Sequence, residues 1–199
     1  MTTVADGSSS TPLHEVPVGK RSRRREWIAR LRGEQTLQRM RKAGLDAPQP
    51  VYVGARVYID EMFAWAISIG AHTRIAHDVL IIAHDAATKH LTGYTEIRSV
   101  KIGAGCYIGA GVIVLPGAEI GDGAVIGAGS VVRGQIPAGA IAAGSPAKVV
   151  KDTSELRARH ADLQAQATPL DKRPMDGLSA AEQARMRAVL AEHGRVYVR

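Results

Sequence analysis

Ile102 to Pro137 reads IGAGCY IGAGVI VLPGAE IGDGAV IGAGSV VRGQIP. Each block of six opens on an aliphatic residue: Ile102, Ile108, Val114, Ile120, Ile126 and Val132. Gly follows at 103, 109, 121 and 127, and the fifth places hold Cys106, Val112, Ala118, Ala124, Ser130 and then Ile136. A period of six is neither helical nor the simple alternation of a strand. It fits a short strand followed by a turn, with three such units closing one coil of a prism. Coils of this kind stack through parallel pairing about 4.8 Å apart. The opening residue points into the narrow interior, the small fifth residue fills a corner, and Gly relaxes the turn. Repeats at fixed period are the sequence mark of a solenoid.

Working outward, Ile69, Ile75 and Ile81 open three earlier units, with Thr73 and Val79 in fifth place; Val51, Val57 and Phe63 are assigned to the same phase. The repeat therefore covers residues 51–150. It is interrupted once, because Ile81 and Ile102 are 21 residues apart, not a multiple of six. The polar run from His84 through Asp85, Lys89, His90 and Tyr94 leaves the prism as a loop spanning about 84–99. A loop extruded from a rigid scaffold is a candidate functional site. The flanks differ in character. Residues 1–19 read as a disordered tail, 20–50 as a basic helical segment, and 151–199 as a C-terminal helical segment. In that last segment Ser179 and Glu182 have capping-box spacing.

The net charge of +7 is local. Lys20 to Lys42 holds ten basic and two acidic residues; the rest holds 16 basic and 17 acidic. With one aromatic neighbour, Trp27, and no nucleic-acid motif, the basic run reads as a solvated helix face, and no nucleic-acid partner is expected. The lone Cys106 excludes an internal disulfide framework. No run of 18 apolar residues occurs, so no membrane span is expected. With no apolar signal region near the N-terminus, a cytoplasmic protein is the default.

These units resemble the hexapeptide-repeat acyltransferases, and in particular the maltose, galactoside and streptogramin O-acetyltransferase group. The quoted residues that carry the resemblance are His84 before the loop, Tyr107-Ile108-Gly109-Ala110, Leu115-Pro116-Gly117, Ile126 to Val132, and the closing Ala142 to Val150. Arg133-Gly134 stands where that group often has Thr-Lys. The resemblance implies an all-β core: a left-handed parallel β-helix with an extruded loop and flanking N- and C-terminal helices. It also implies a homotrimer using acetyl-CoA as co-substrate, with no metal. The implied activity is O-acetylation of a sugar or glycan hydroxyl. An amino-sugar N-acetyltransferase is the alternative, ahead of a γ-carbonic-anhydrase-like enzyme or a noncatalytic assembly module.

The chemistry assigns roles. Transfer from a thioester to a hydroxyl needs a base, for which histidine suits, and donors for the oxyanion. His84 is the expected base, with Asp85 either orienting it, binding acceptor or capping the turn. The resemblance to the trimeric family implies a backbone N–H near Ala110 of a neighbouring chain as the oxyanion donor. Tyr107, Gly109, Ala110, Gly127, Ala128, Ser145, Pro146, Lys148 and Lys151 are cofactor-binding candidates. Each small residue among them is equally explained by repeat geometry. Lys89, Tyr94 and His72 are acceptor-binding candidates. His72 and His77 have the spacing of paired zinc ligands in γ-class carbonic anhydrases. No histidine lies between Leu31 and Gly70 to complete such a site, so no metal is expected.

Overall fold

A computed structural model describes residues 37–166 and 177–198. The expected tail, the basic run before Leu37 and the loop with Pro169 and Pro174 lie outside the described residues. Helix α1 (Leu37–Lys42) leads into β1 (Tyr52–Val53), β2 (Tyr58–Ile59), a 3-10 turn (Ala64–Ala66), β3 (Ile67–Ile69), β4 (Arg74–Ile75) and β5 (Leu80–Ile81). The extruded segment holds β6 (His84–Asp85), α2 (Ala87–Thr92) and β7 (Glu96–Ile97). Next come β8 (Val100–Ile102), β9 (Tyr107–Ile108), β10 (Ile113–Val114), β11 (Glu119–Ile120), β12 (Val125–Ile126), β13 (Val131–Val132) and β14 (Gln135–Ile136). The chain closes with β15 (Ala140–Gly144), β16 (Ala147–Asp152), α3 (Thr153–Gln166) and α4 (Ala180–His193).

The strands stack into three parallel faces. The first runs β1-β4-β9-β12-β15, the second β2-β5-β10-β13, and the third β3-β8-β11-β14. Their inward residues form one apolar core of Ile, Val and Ala. Each fifth place meets the narrow interior, which is why it holds Cys106, Val112, Ala118 or Ala124, all fully buried. Two polar residues survive there because both are satisfied. Thr73 Oγ1 donates to Gly103 O at 2.7 Å and accepts from Cys106 N at 3.1 Å. Ser130 Oγ donates to Gly127 O at 2.7 Å and accepts from Gly144 N at 3.1 Å.

Two sequence expectations need correction. Val51, Val57 and Phe63 do not open units. The residues in register with Ile75 and Ile81 are Val53 and Ile59, and Val51 and Val57 fill fifth places instead. Ile136 is not a fifth-place residue, because it pairs in register with Ile120 as an opener. The parallel coils end at the turn over residues 144–146, after which β16 folds back antiparallel on β15. At the other end a parallel bridge from Asp46 to Ser68 precedes β1. The capping box of α4 is formed, with Ser179 Oγ accepting from Glu182 N at 3.2 Å.

The register shows where the repeat varies. From the first face to the second, the openers are always six apart: Val53 to Ile59, Ile75 to Ile81, Ile108 to Val114, Ile126 to Val132. From the third face to the first, they are again always six apart, as in Ile102 to Ile108. From the second face to the third the intervals are 10 (Ile59 to Ile69), 21 (Ile81 to Ile102), 6 (Val114 to Ile120) and 4 (Val132 to Ile136). Every departure from the period falls on one corner of the prism.

Candidate active site

That irregular corner carries His84. The imidazole Nδ1 is hydrogen-bonded to Asp60 Oδ2, and the His84 side chain is 30% exposed while Asp60 is fully buried. Asp60 follows Ile59 at the start of the 10-residue interval, so it stands one coil away from His84 along the stack. The same Oδ2 accepts from Ala83 N at 3.1 Å. Oδ1 has no hydrogen-bond partner among the described residues, an unsatisfied acceptor of the kind that marks functional sites. Phe63 covers the ring, with centroids 5.1 Å apart and planes tilted by 51°. A carboxylate on Nδ1 fixes that nitrogen as the donor and leaves Nε2 as the proton acceptor.

The extruded segment is an ordered ribbon. His84 and Asp85 pair antiparallel with Ile97 and Glu96. The Thr88 hydroxyl lies 2.8 Å from the carbonyls of Asp85 and Tyr94 and accepts from Glu96 N at 2.8 Å. Asp85 Oδ1 accepts from Ala87 N at 2.8 Å. Of the expectations for Asp85, the geometry shows the turn cap; the carboxylate on the imidazole is that of Asp60.

A concavity of about 620 Å³ opens beside His84, lined by Ile82, Asp85, Glu96, Arg98, Leu115, Pro116, Arg133 and Gly134. Its floor comes from second places of the repeat. On the two regular corners those places hold small residues or Pro137, because a side chain would strike the next coil. A Cβ on Gly109 would lie 2.6 Å from Ala128 N, and one on Gly103 2.6 Å from Asp122 N. On the irregular corner the second places are Asp60, Ile82, Leu115 and Arg133. Sequence reasoning missed Asp60, Phe63, Thr88, Arg98 and Arg133. The large second places recurring once per coil were the signal that could have found Asp60 and Arg133.

The remaining candidates are spread over the other corners, the first face, the closing hairpin and the ribbon. Gly109, Ala110, Gly127 and Ala128 stack along the corner between the first and second faces. A Cβ on Gly109 would strike backbone of the next coil, one on Gly127 would come only to 3.0 Å from the Ala143 Cβ, and Ala128 is exposed. Tyr107 stands on the outer first face, in register with Arg74 and Val125. Ser145 and Pro146 form the turn between β15 and β16, and Lys148 is exposed on β16. Lys151 pairs with Glu155 at 3.8 Å. Lys89 and Tyr94 are exposed on the ribbon. His72 takes the left-handed turn place (φ 62°) between the third and first faces, away from the His84 corner. His77 lies on the corner between the first and second faces and meets Asp78 at 2.7 Å. Among the described residues no three His, Cys, Asp or Glu side chains converge on a metal position. Burial pushes the Cys106 thiol up, so this inward cysteine is no ready nucleophile.

Residues 99–134 match the family described as bacterial transferase hexapeptide (six repeats). No curated protein matches the sequence. Among solved structures the chain is similar to a maltose O-acetyltransferase from Clostridium difficile 630, at 27% identity over 68% of this chain and 78% of that one, TM-score 0.48. It is similar to the N-acyltransferase AntD from Bacillus cereus, in complex with an amino sugar nucleotide and coenzyme A, at 19% identity over 58% and 69%, TM-score 0.45. It is also similar to a serine acetyltransferase from Neisseria gonorrhoeae, at 29% identity over 53% and 42%, TM-score 0.35.

Proposed function

We propose that this chain is an acetyl-CoA-dependent O-acetyltransferase acting on a sugar or glycan hydroxyl, on a left-handed β-helix working as a homotrimer. The observation that carries this reading is the histidine held at Nδ1 by a fully buried carboxylate at the one irregular corner. His84 Nε2 takes the proton of the acceptor hydroxyl as its oxygen attacks the thioester carbonyl. The tetrahedral oxyanion collapses, the C–S bond breaks, and the imidazolium returns its proton to the departing thiolate. Asp60 holds the ring and stabilises its cationic form, as an orienting carboxylate does in other base-assisted acyl transfers. No group on the chain is acylated. An amine acceptor would use the same geometry and give an N-acetyl product.

Assembly completes the site. In one chain the His84 corner and the small-residue strip Ala110–Ala128 lie on opposite edges of the second face. That face presents Tyr58, Leu80, Ile113 and Val131 outward in register. The third face presents Ser68, Lys101, Glu119 and Gln135 instead. A threefold arrangement on the apolar face would carry one chain's strip, with Lys148, toward its neighbour's His84. Ile113→Lys should lower the mass in sedimentation from trimer to monomer and abolish turnover. Retention of the trimer would remove the second face from the interface. The function itself is tested by thiol release from acetyl-CoA against a panel of sugars and amino sugars. Release with none of them contradicts O-acetyl and N-acetyl transfer alike.

A further inference from the structure

Two cations in the concavity are not used by the chemistry just described. Arg98 leaves the ribbon at the end of β7, and its guanidinium lies across the Leu115–Gly117 turn: a Cβ on Gly117 would be 2.4 Å from its Cζ. Arg133 occupies the second place of the shortened 4-residue interval, one coil beyond Leu115. Both side chains are exposed and line the same concavity as His84. Among the described residues neither guanidinium has an ion pair or hydrogen bond. The acidic residues of the concavity do not neutralise them. Asp85 is engaged with Ala87 N, and Glu96 stands two residues from Arg98 without pairing to it.

The geometry points to an acidic sugar as the acceptor: a carboxylate or phosphate ester held by Arg98 and Arg133, with the reacting hydroxyl at His84 Nε2. This rests on the acetyl-transfer reading and narrows its substrate class. Guanidinium groups favour planar or tetrahedral oxyanions through paired N–H donors, which neutral sugars cannot supply. Glu96 is placed to accept from a sugar hydroxyl, and Ile82, Leu115 and Pro116 give the apolar floor a pyranose ring requires.

The test uses three matched probes with the full-length protein: methyl glucuronide, methyl glucoside 6-phosphate and methyl glucoside. Binding to the CoA-loaded protein is measured by calorimetry, and turnover by thiol release. At least one acidic probe should bind roughly 10- to 100-fold tighter than the neutral one, the span expected of charge-assisted hydrogen bonds. The two acidic probes separate carboxylate from phosphate. Arg98→Gln with Arg133→Gln should erase the preference without weakening CoA, and Arg98→Lys, which keeps charge but not the paired donors, should restore only part of it. Acid-selective binding that the arginine variants erase supports the inference even where a probe is not turned over, and the transfer reading stands or falls on its own panel. Equal binding of all three probes, or binding of none, overturns the inference and leaves the transfer reading to its own panel. Parallel loss of CoA affinity in the arginine variants also overturns it, because the guanidiniums then serve the cofactor's phosphates.

Discussion

The two regular corners and the irregular corner of this prism follow different rules. On the regular corners each interval is six residues and each second place is small or Pro137, because coil spacing leaves no room for more. On the irregular corner the intervals run 10, 21, 6 and 4, and the second places are Asp60, Ile82, Leu115 and Arg133. The regular corners are fixed by packing. The irregular corner has traded packing for a histidine, a buried carboxylate and a concavity. A repeat scaffold tolerates this, since each coil contacts only its neighbours and a local insertion leaves the others in register.

Glycine substitutions break the comparison most directly. Gly109→Ala, on a regular corner, puts a Cβ 2.6 Å from backbone of the next coil. It should cost about 2–3 kcal/mol by forcing the coils apart. Gly93→Ala, on the ribbon of the irregular corner, meets nothing within 4 Å and strains only a left-handed turn (φ 83°). It should cost about 1 kcal/mol. Denaturant melts of the two variants decide this; equal losses would mean that the corners do not differ in packing.

Asp60→Asn separates stability from chemistry at the irregular corner. The isostere keeps an acceptor, so the fold should lose no more than about 1 kcal/mol. Turnover should fall on the order of 10²-fold, with CoA affinity unchanged, because the imidazole loses its orienting carboxylate. A kcat equal to wild type would reduce Asp60 to a structural acceptor for Ala83 N.

The smallest effect belongs to an ion pair on the regular corner between the first and second faces. Arg56, and then His77, hold the exposed Asp78 carboxyl well below the usual carboxylate range. In the fold this group binds a proton less readily than in the unfolded chain. Its contribution is therefore present above about pH 4 and fades as the pH falls through the lowered value. The pair is exposed, so Asp78→Asn should shift Tm only slightly at pH 6, and the difference from wild type should shrink further toward pH 2. A difference that grows on acidification would contradict this sign.

What the sequence made legible follows the same division. From Ile102 onward the coils were readable because openers, glycines and small fifth places coincide without interruption. The long insertion was readable from the 21-residue interval. The 10-residue interval was not: Val51 and Val57 are buried in fifth place as they would be as openers, so hydrophobicity alone could not reveal the shifted phase. The shortened interval hid in the same way, because Ile136 is buried under either assignment. Asp60 was missed because its partner is 24 residues away, and only the stacking of coils brings the two together. For Asp85, adjacent to His84 in the chain, the sequence left orienting, acceptor binding and turn capping open; the fold shows the cap, and the carboxylate on the imidazole comes from another coil.

The irregular corner is proposed as the catalytic centre, with His84 as its base. The direct measurement is acetyl transfer by His84→Ala, once an acceptor supports turnover, alongside CoA binding and sedimentation of the same variant. The expected result is a loss of about 10²–10⁴-fold in kcat, with CoA affinity and assembly retained. Near wild-type turnover with that acceptor would contradict it.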